Sequence, residues 1–169
     1  MFYEDVFQAL NRARVRYLVV GGGAVVLRGS DRTTHDLDLM LDFDEKNLAR
    51  AMQALERLGF QPKVPVKLMD FVRAENRERW KREKGMVVFG LLNRHDPLVS
   101  VDVMVDHPVE FTRAYLRRET IRQGGLSIPL AGIPDMLRMK RLASREQDLY
   151  DIAFLEGVER HRKARKRSR

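Results

Sequence analysis

Cysteine is missing from all 169 residues of this chain. That excludes disulfides, thiol nucleophiles and thiolate metal sites, and it suits a reducing cytoplasm, the location expected here. Histidine is scarce, at four residues, and none of the four stands at metal-ligand spacing. No stretch approaches the run of about 20 apolar residues that spans a bilayer, so no membrane partner is expected. The opening residues Met1-Phe2-Tyr3-Glu4-Asp5 lack a basic start followed by an apolar core, so no signal peptide is expected. There is no internal repeat and no composition shift that marks a domain boundary. A single domain over residues 1–159, large enough for a real core, is the expectation.

Acidic residues are missing from the last ten positions, RHRKARKRSR, which hold seven Lys and Arg. The whole chain carries a net charge of +8, and without those seven bases residues 1–159 carry +1. The basicity therefore sits in a tail, 160–169, read as disordered. A tail of this kind either attracts nucleic acid by counterion release or is a solvated end that aids solubility.

What the chain does have is one unusual stretch, residues 17–41. An apolar run, Tyr17 to Val20, reads as a short buried strand ended by Gly21-Gly22-Gly23. Residues 23–28 suit a short helix with Gly29 as its stop. A second run, Asp36 to Leu41, alternates. Strand side chains have period two, so Asp36, Asp38 and Met40 share one face and Leu37, Leu39 and Leu41 the other. Two carboxylates side by side repel, and at least one pKa should rise unless a cation intervenes. Hard oxygen ligands at this spacing suit Mg²⁺ with phosphate as co-ligand. The glycines allow close backbone approach, and N–H groups at a strand-to-helix turn make an anion site.

The rest of the chain supplies a frame. Helices are expected at 3–15, at 44–58 with Asp44 as N-cap and Gly59 as stop, at 67–83, at 108–118, and at 134–160. Residues 60–66, with two prolines, read as a connection, and Trp80 as a core residue rather than a base-stacking one. Residues 86–92 and 98–106 read as a hairpin around Asn93-Arg94-His95-Asp96-Pro97. In its second arm Val99, Val101, Val103 and Val105 face one way and Ser100, Asp102 and Met104 the other. Residues 119–130 suggest a turn and a short edge strand, since Pro129 argues against a central position. In the last helix Leu149, Ile152, Ala153 and Leu155 are expected on the core side, and Arg145, Asp148 and Asp151 as a ladder of ion pairs. The class is α/β (α+β): a mixed sheet flanked by helices, ending in a helical segment.

Gly21-Gly22, thirteen residues, then Asp36-Leu37-Asp38 resembles the signature of the DNA polymerase β-type nucleotidyltransferase superfamily. The fuller string, with Ala24, Gly29, Arg32 and Thr34 in place, is similar to the small bacterial branch that includes the AbiEii-type toxins. So is the segment Lys140 … Arg145-x-x-Asp148-x-x-Asp151. The resemblance covers roughly 16–41, 98–106 and 133–155. It implies the minimal nucleotidyltransferase fold and transfer of a nucleoside monophosphate from an NTP to a hydroxyl. Two divalent ions, Mg²⁺ or Mn²⁺, would be held by Asp36, Asp38 and Asp102, with Asp102 as third carboxylate and proton acceptor. Gly21, Gly22 and Lys140 would hold the triphosphate, and Arg32 would either join them or pair with Asp31 or Asp36. Many members carry Ser where this chain has Gly22, and that hydroxyl is lost. The leading acceptor is RNA, such as tRNA, in a toxin–antitoxin setting with a cognate antitoxin or a second subunit. A small hydroxyl compound, or a non-catalytic nucleotide- or RNA-binding module, are the alternatives.

Overall fold

The computed structural model describes residues 3–168. A short helix, α1 (Glu4–Arg12), leads into β1 (Tyr17–Val19), whose three residues are all buried. The glycines do not simply end this strand. They form the first turn of α2 (Gly21–Val26), with Gly21 in the left-handed region at φ 58°. Then come β2 (Asp36–Leu41) and α3 (Glu45–Arg57), capped by the Asp44 carboxylate accepting the Asn47 N–H at 2.9 Å. Gly59, at φ 89°, ends α3 as expected.

The middle of the chain needs two corrections. Residues 60–66 are not all connection: β3 (Phe60–Pro62) pairs with β4 (Val88–Asn93). Pro62 is tolerated because β3 is the outermost strand. The expected helix 67–83 is broken into a 3-10 turn (Leu68–Val72) and α4 (Ala74–Lys84). Buried Arg77 ties the two together, donating to the carbonyls of Phe71 at 2.7 Å and Val72 at 2.8 Å. Trp80 is buried and stacks on Phe89, a core residue as expected.

β5 (Ser100–Met104) completes the expected hairpin with β4. After α5 (Phe111–Leu116), β6 (Glu119–Gln123) and β7 (Leu126–Leu130) form a second hairpin around Gly124-Gly125. Pro129 was expected on an edge strand, yet β7 lies inside the sheet, between β1 and β6. Its pairing with β1 rests on one rung, Val19 with Leu130, so the lost N–H of Pro129 costs no bond there.

Among the described residues the sheet has seven strands in the order β3-β4-β5-β2-β1-β7-β6. Strands β2 and β5 run parallel, as do β1 and β7, while the other neighbours are antiparallel. The central strands β1, β2 and β5 bury nearly every aliphatic side chain. Burial of that scale, at about 25 cal/mol per Å² of apolar surface, is what fixes the register.

The single C-terminal helix expected over 134–160 is two helices. α6 (Ile133–Ala143) stops at Ser144, a left-handed residue at φ 50°, and α7 (Glu146–Arg167) follows. The basic tail, read from sequence as disordered, continues α7 as helix through Arg167. Leu149 is not on the core side but 69% exposed. The inward stripe of α7 is Asp148, Asp151 and the expected Leu155, spaced three and four apart, so two carboxylates share the face that Leu149 was expected to join. No helix among the described residues is long and apolar enough to cross a membrane.

Candidate active site

Register builds the site. β2 and β5 pair in parallel with Asp36 opposite Ser100 and Asp38 opposite Asp102. Neighbouring strands lie about 4.8 Å apart, so Asp38 and Asp102 share one rung and one face. The opposite face of the same strands is Leu37, Leu39, Val101 and Val103, all buried. Alternation thus forces the acids out of the core and side by side, as the sequence pattern implied.

Each acid has its own protein donor. Asp36 takes the hydroxyl of Ser100 in a short hydrogen bond. Asp38 Oδ2 accepts the Gly22 N–H at 3.2 Å. Asp102 Oδ1 lies 3.5 Å from Lys63 Nζ. Among the described residues no three histidines or acids stand as a ready-made metal-ligand group. The donor chemistry nevertheless fits a hard divalent cation. Burial, reinforced by Asp102 and to a lesser degree Asp36, pushes the Asp38 carboxyl up to about 6 against the Gly22 N–H and Lys140. Burial also raises Asp102, opposed by Lys63 and reinforced by Asp36. Paired carboxylates held above their ordinary range are what a bound cation relieves.

The glycines close the site at the β1–α2 turn. A Cβ on Gly21 would sit 1.9 Å from Asp38 Oδ2, and the left-handed backbone there disfavours any side chain. A Cβ on Gly22 would meet Thr34 Oγ1 at 2.8 Å and Arg32 Nη2 at 3.0 Å. The space beside Gly22 is filled by Thr34 and Arg32, brought in from the loop before β2.

Lys140 and Arg32 are both held by acids of α7. Lys140 borders the cavity above Asp38, but it is only 4% exposed. Its ammonium lies 3.0 Å from Asp148 Oδ1 and 2.6 Å from Asp151 Oδ2. Arg32 pairs neither with Asp31 nor with Asp36; its Nη1 is 2.5 Å from the same Asp151 oxygen. Asp31 instead accepts the Tyr150 hydroxyl at 2.6 Å. The expected ladder on α7 is half present: Arg145 pairs with Asp148 at 3.0 Å, while Asp151 turns to Lys140 and Arg32. Burial alone would raise Asp148, but the bonds from Arg145 and Lys140 outweigh it and hold the carboxyl below its ordinary value. His35 is exposed.

A cavity of about 570 Å³ opens over Asp38 and Asp102. Gly21 and Val20 form one side, Lys140 and Arg145 another, and Val87, Met104, Pro108, Met139 and Leu142 supply apolar walls. Lys63 is the neighbour of Asp102 that sequence reading missed. It follows β3 in a segment read as connection, and nothing in its spacing points to the acids.

A family model described as "Nucleotidyltransferase of unknown function (DUF6036)" matches residues 3–156. The chain belongs to that family. The match bears out the nucleotidyltransferase superfamily that the motif resembles, and not the AbiEii-type branch within it. No protein of curated function matches it. Among solved structures it is similar to the lincosamide antibiotic adenylyltransferase LnuA, lincomycin-bound, with a TM-score of 0.59 and 17% identity over 94% of this chain and 98% of that one. It is also similar to the antibiotic-resistance factor ANT(2'')-Ia, with a TM-score of 0.57 and 11% identity over 97% and 92% of the two chains. An antigenic nucleotidyltransferase-like protein from Paracoccidioides brasiliensis gives a TM-score of 0.56 and 18% identity over 90% and 72%. These likenesses bear out the nucleotidyltransferase fold, a mixed sheet flanked by helices.

Proposed function

We propose that this nucleotidyltransferase moves a nucleoside monophosphate from an NTP to the hydroxyl of a small molecule. The observation that carries this reading is the Asp38–Asp102 rung, floored beneath a cavity of about 570 Å³ beside the Gly21-Gly22 turn. A cavity of that size suits small ligands, which fill pockets of about 300–1,000 Å³. The fold neighbours LnuA, a lincosamide antibiotic adenylyltransferase with lincomycin bound, and ANT(2'')-Ia, in complex with adenylyl-2''-tobramycin, agree with an acceptor of that kind.

In the proposed reaction an oxygen lone pair of the acceptor attacks the α-phosphorus. The bond from that phosphorus to the bridging oxygen breaks, and pyrophosphate leaves. Asp102 receives the hydroxyl proton, a task favoured by a carboxyl already raised above its ordinary value. Asp36, Asp38 and Asp102 are the residues that would hold one or two Mg²⁺ or Mn²⁺ ions. When bound, such ions supply a more acidic hydroxyl and neutralise the departing charge. The Gly21 amide and Lys140 bind the triphosphate, while the Gly22 N–H stays with Asp38. Lys140 does so by turning from Asp148 and Asp151, which keep Arg145 and Arg32 as partners. The apolar walls shed water from the reacting groups.

A second reading, transfer to RNA such as tRNA, rests on the basic end of α7. That end leads away from the acids. Arg145 borders the cavity, whereas Arg162, seventeen residues on and about 25 Å along the helix, bonds Glu119 at the start of the outermost strand β6. RNA held there would have to reach back to Asp102, which is why the small acceptor is preferred. A cognate antitoxin belongs to the RNA reading alone.

The test is incubation with each α-labelled NTP and Mg²⁺ or Mn²⁺, with cellular RNA in one arm and a small-molecule extract in the other. Label should enter small compounds with wild type and not with Asp38→Asn or Asp102→Asn. Label in RNA alone would overturn the small acceptor in favour of the second reading. Tight NTP binding with no transfer in either arm would reduce the protein to a binding module.

A further inference from the structure

Lys63 reaches the acids by a route that the fold has kept open. Its backbone N–H donates to the Gly90 carbonyl at 2.9 Å, extending the β3–β4 ladder by one residue. Gly90 lies on β4 directly opposite Asp102 on β5. The Lys63 stem crosses the space that a side chain on residue 90 would fill: a Cβ there would stand 2.8 Å from Lys63 Cδ and 3.3 Å from Asp102 Oδ1. Beyond that gap the ammonium meets Asp102 Oδ1 at 3.5 Å. Gly90 is not in the left-handed region, so backbone conformation does not require glycine there. The stem of Lys63 occupies that space instead.

We propose that Lys63 is a positioning residue: the resident counter-cation of Asp102, carried over Gly90, which must withdraw when a divalent cation occupies that carboxylate. The proposal rests on the reading of Asp102 as a cation ligand given above. Physically it is one charge exchanged for another. An uncompensated Asp102 beside Asp38 and Asp36 repels both, and Lys63 offsets that repulsion until the ion arrives. At 41% exposure its side chain has solvent to withdraw into, unlike buried Lys140. Lys63 therefore tunes cation affinity rather than supplying a fixed bond.

The probe is Mn²⁺ alone, titrated into the purified protein and followed by the electron paramagnetic resonance of the free ion. Lys63→Met should bind Mn²⁺ about three- to fivefold more tightly, the range open to a partly exposed ion pair. Gly90→Ala keeps every charge but blocks the path, and should tighten binding in the same direction. Adding it to Lys63→Met should give no further gain. Lys63→Arg restores the charge and should return affinity towards wild type. Lys46→Met, which removes an exposed charge on α3, controls for net charge and should change little. Unchanged or weaker Mn²⁺ binding in Lys63→Met, with wild-type binding still abolished by Asp38→Asn, would overturn the role of Lys63 and leave the nucleotidyl-transfer reading standing. No Mn²⁺ binding by wild type, together with no label transfer, would sink both.

Discussion

Lys140 Nζ and Asp151 Oδ2 are 2.6 Å apart, and Asp151 is wholly buried. The same oxygen takes Arg32 at 2.5 Å, so one carboxylate oxygen ties α6, α7 and the loop before β2 together. Its other oxygen, Oδ1, is buried with no hydrogen-bond partner among the described residues. Removing one member of a buried pair leaves the others charged and unpaired, which costs about 3–5 kcal/mol. Asp151→Ala strips Arg32 of its carboxylate and leaves Lys140 with Asp148 alone. Lys140→Met leaves Asp151 with Arg32 and Asp148 with Arg145. Urea unfolding should therefore show the larger loss for Asp151→Ala and the smaller for Lys140→Met. Equal losses would mean that Arg32 does not share Asp151 in solution.

Gly21 and Gly22 should respond differently to substitution. Gly21→Ala puts a carbon where Asp38 Oδ2 stands and asks alanine to hold φ 58°. A left-handed alanine costs roughly 1–2 kcal/mol, and displacing a reacting group by about 1 Å can cost a hundredfold in rate. Transfer by Gly21→Ala should fall by about that factor while the protein still folds. Gly22→Ser meets Thr34 Oγ1 and Arg32 instead of an acid, at longer range. It should lose less than tenfold, the estimate for a steric conflict that two flexible side chains can relieve.

The raised carboxyl of Asp38 has a pH signature. In the unfolded chain it titrates near its ordinary value of 3.8, and in the fold at about 6. Ionised Asp38 therefore destabilises the metal-free fold above about pH 6. The penalty fades as pH falls from 6 towards 4 and is gone below the unfolded value. The difference corresponds to at most about 3 kcal/mol. With a chelator present, Asp38→Asn should be more stable than wild type at pH 8 and equal to it at about pH 3, by urea midpoints. Asparagine keeps an oxygen for the Gly22 N–H, so the comparison isolates the charge. Saturating Mn²⁺ should erase or reverse the gap at pH 8, because only the aspartate gains from the ion.

Local patterns made the centre of the sheet readable. Period-two alternation put Asp36 and Asp38 on one face of β2 and Asp102 on the matching face of β5, and the pairing adds the register that brings 38 opposite 102. The Asp44 cap and the Gly59 stop are local too. What stayed hidden depends on contacts far apart in sequence. Pro129 lies inside the sheet because only one rung binds β7 to β1. Leu149 faces solvent because Asp148 and Asp151 find cations on α6 and in the 31–34 loop. Lys63 sits in a proline-flanked segment with no periodicity, and its value appears only once Gly90 is seen opposite Asp102. Arg32 pairs with neither Asp31 nor Asp36 because its partner, Asp151, is 119 residues away in sequence.

The helical end of α7 separates the two acceptor readings. Truncation after Glu159 removes Arg162, whose bond to Glu119 is 3.0 Å long and half exposed, while Glu119 retains Arg28 at 3.5 Å. Ion pairs of that kind contribute little, so the fold should survive with a small loss of stability. Every cavity residue remains, because the last of them is Asp148. Transfer to a small acceptor should then be unchanged in kcat and KM. RNA binding, by contrast, should lose affinity and become less dependent on salt, since up to seven bases no longer release counterions from phosphate. A truncated protein that loses transfer together with RNA affinity would place the acceptor on α7, about 25 Å from Arg145, and would require a long polymer to bridge the two points.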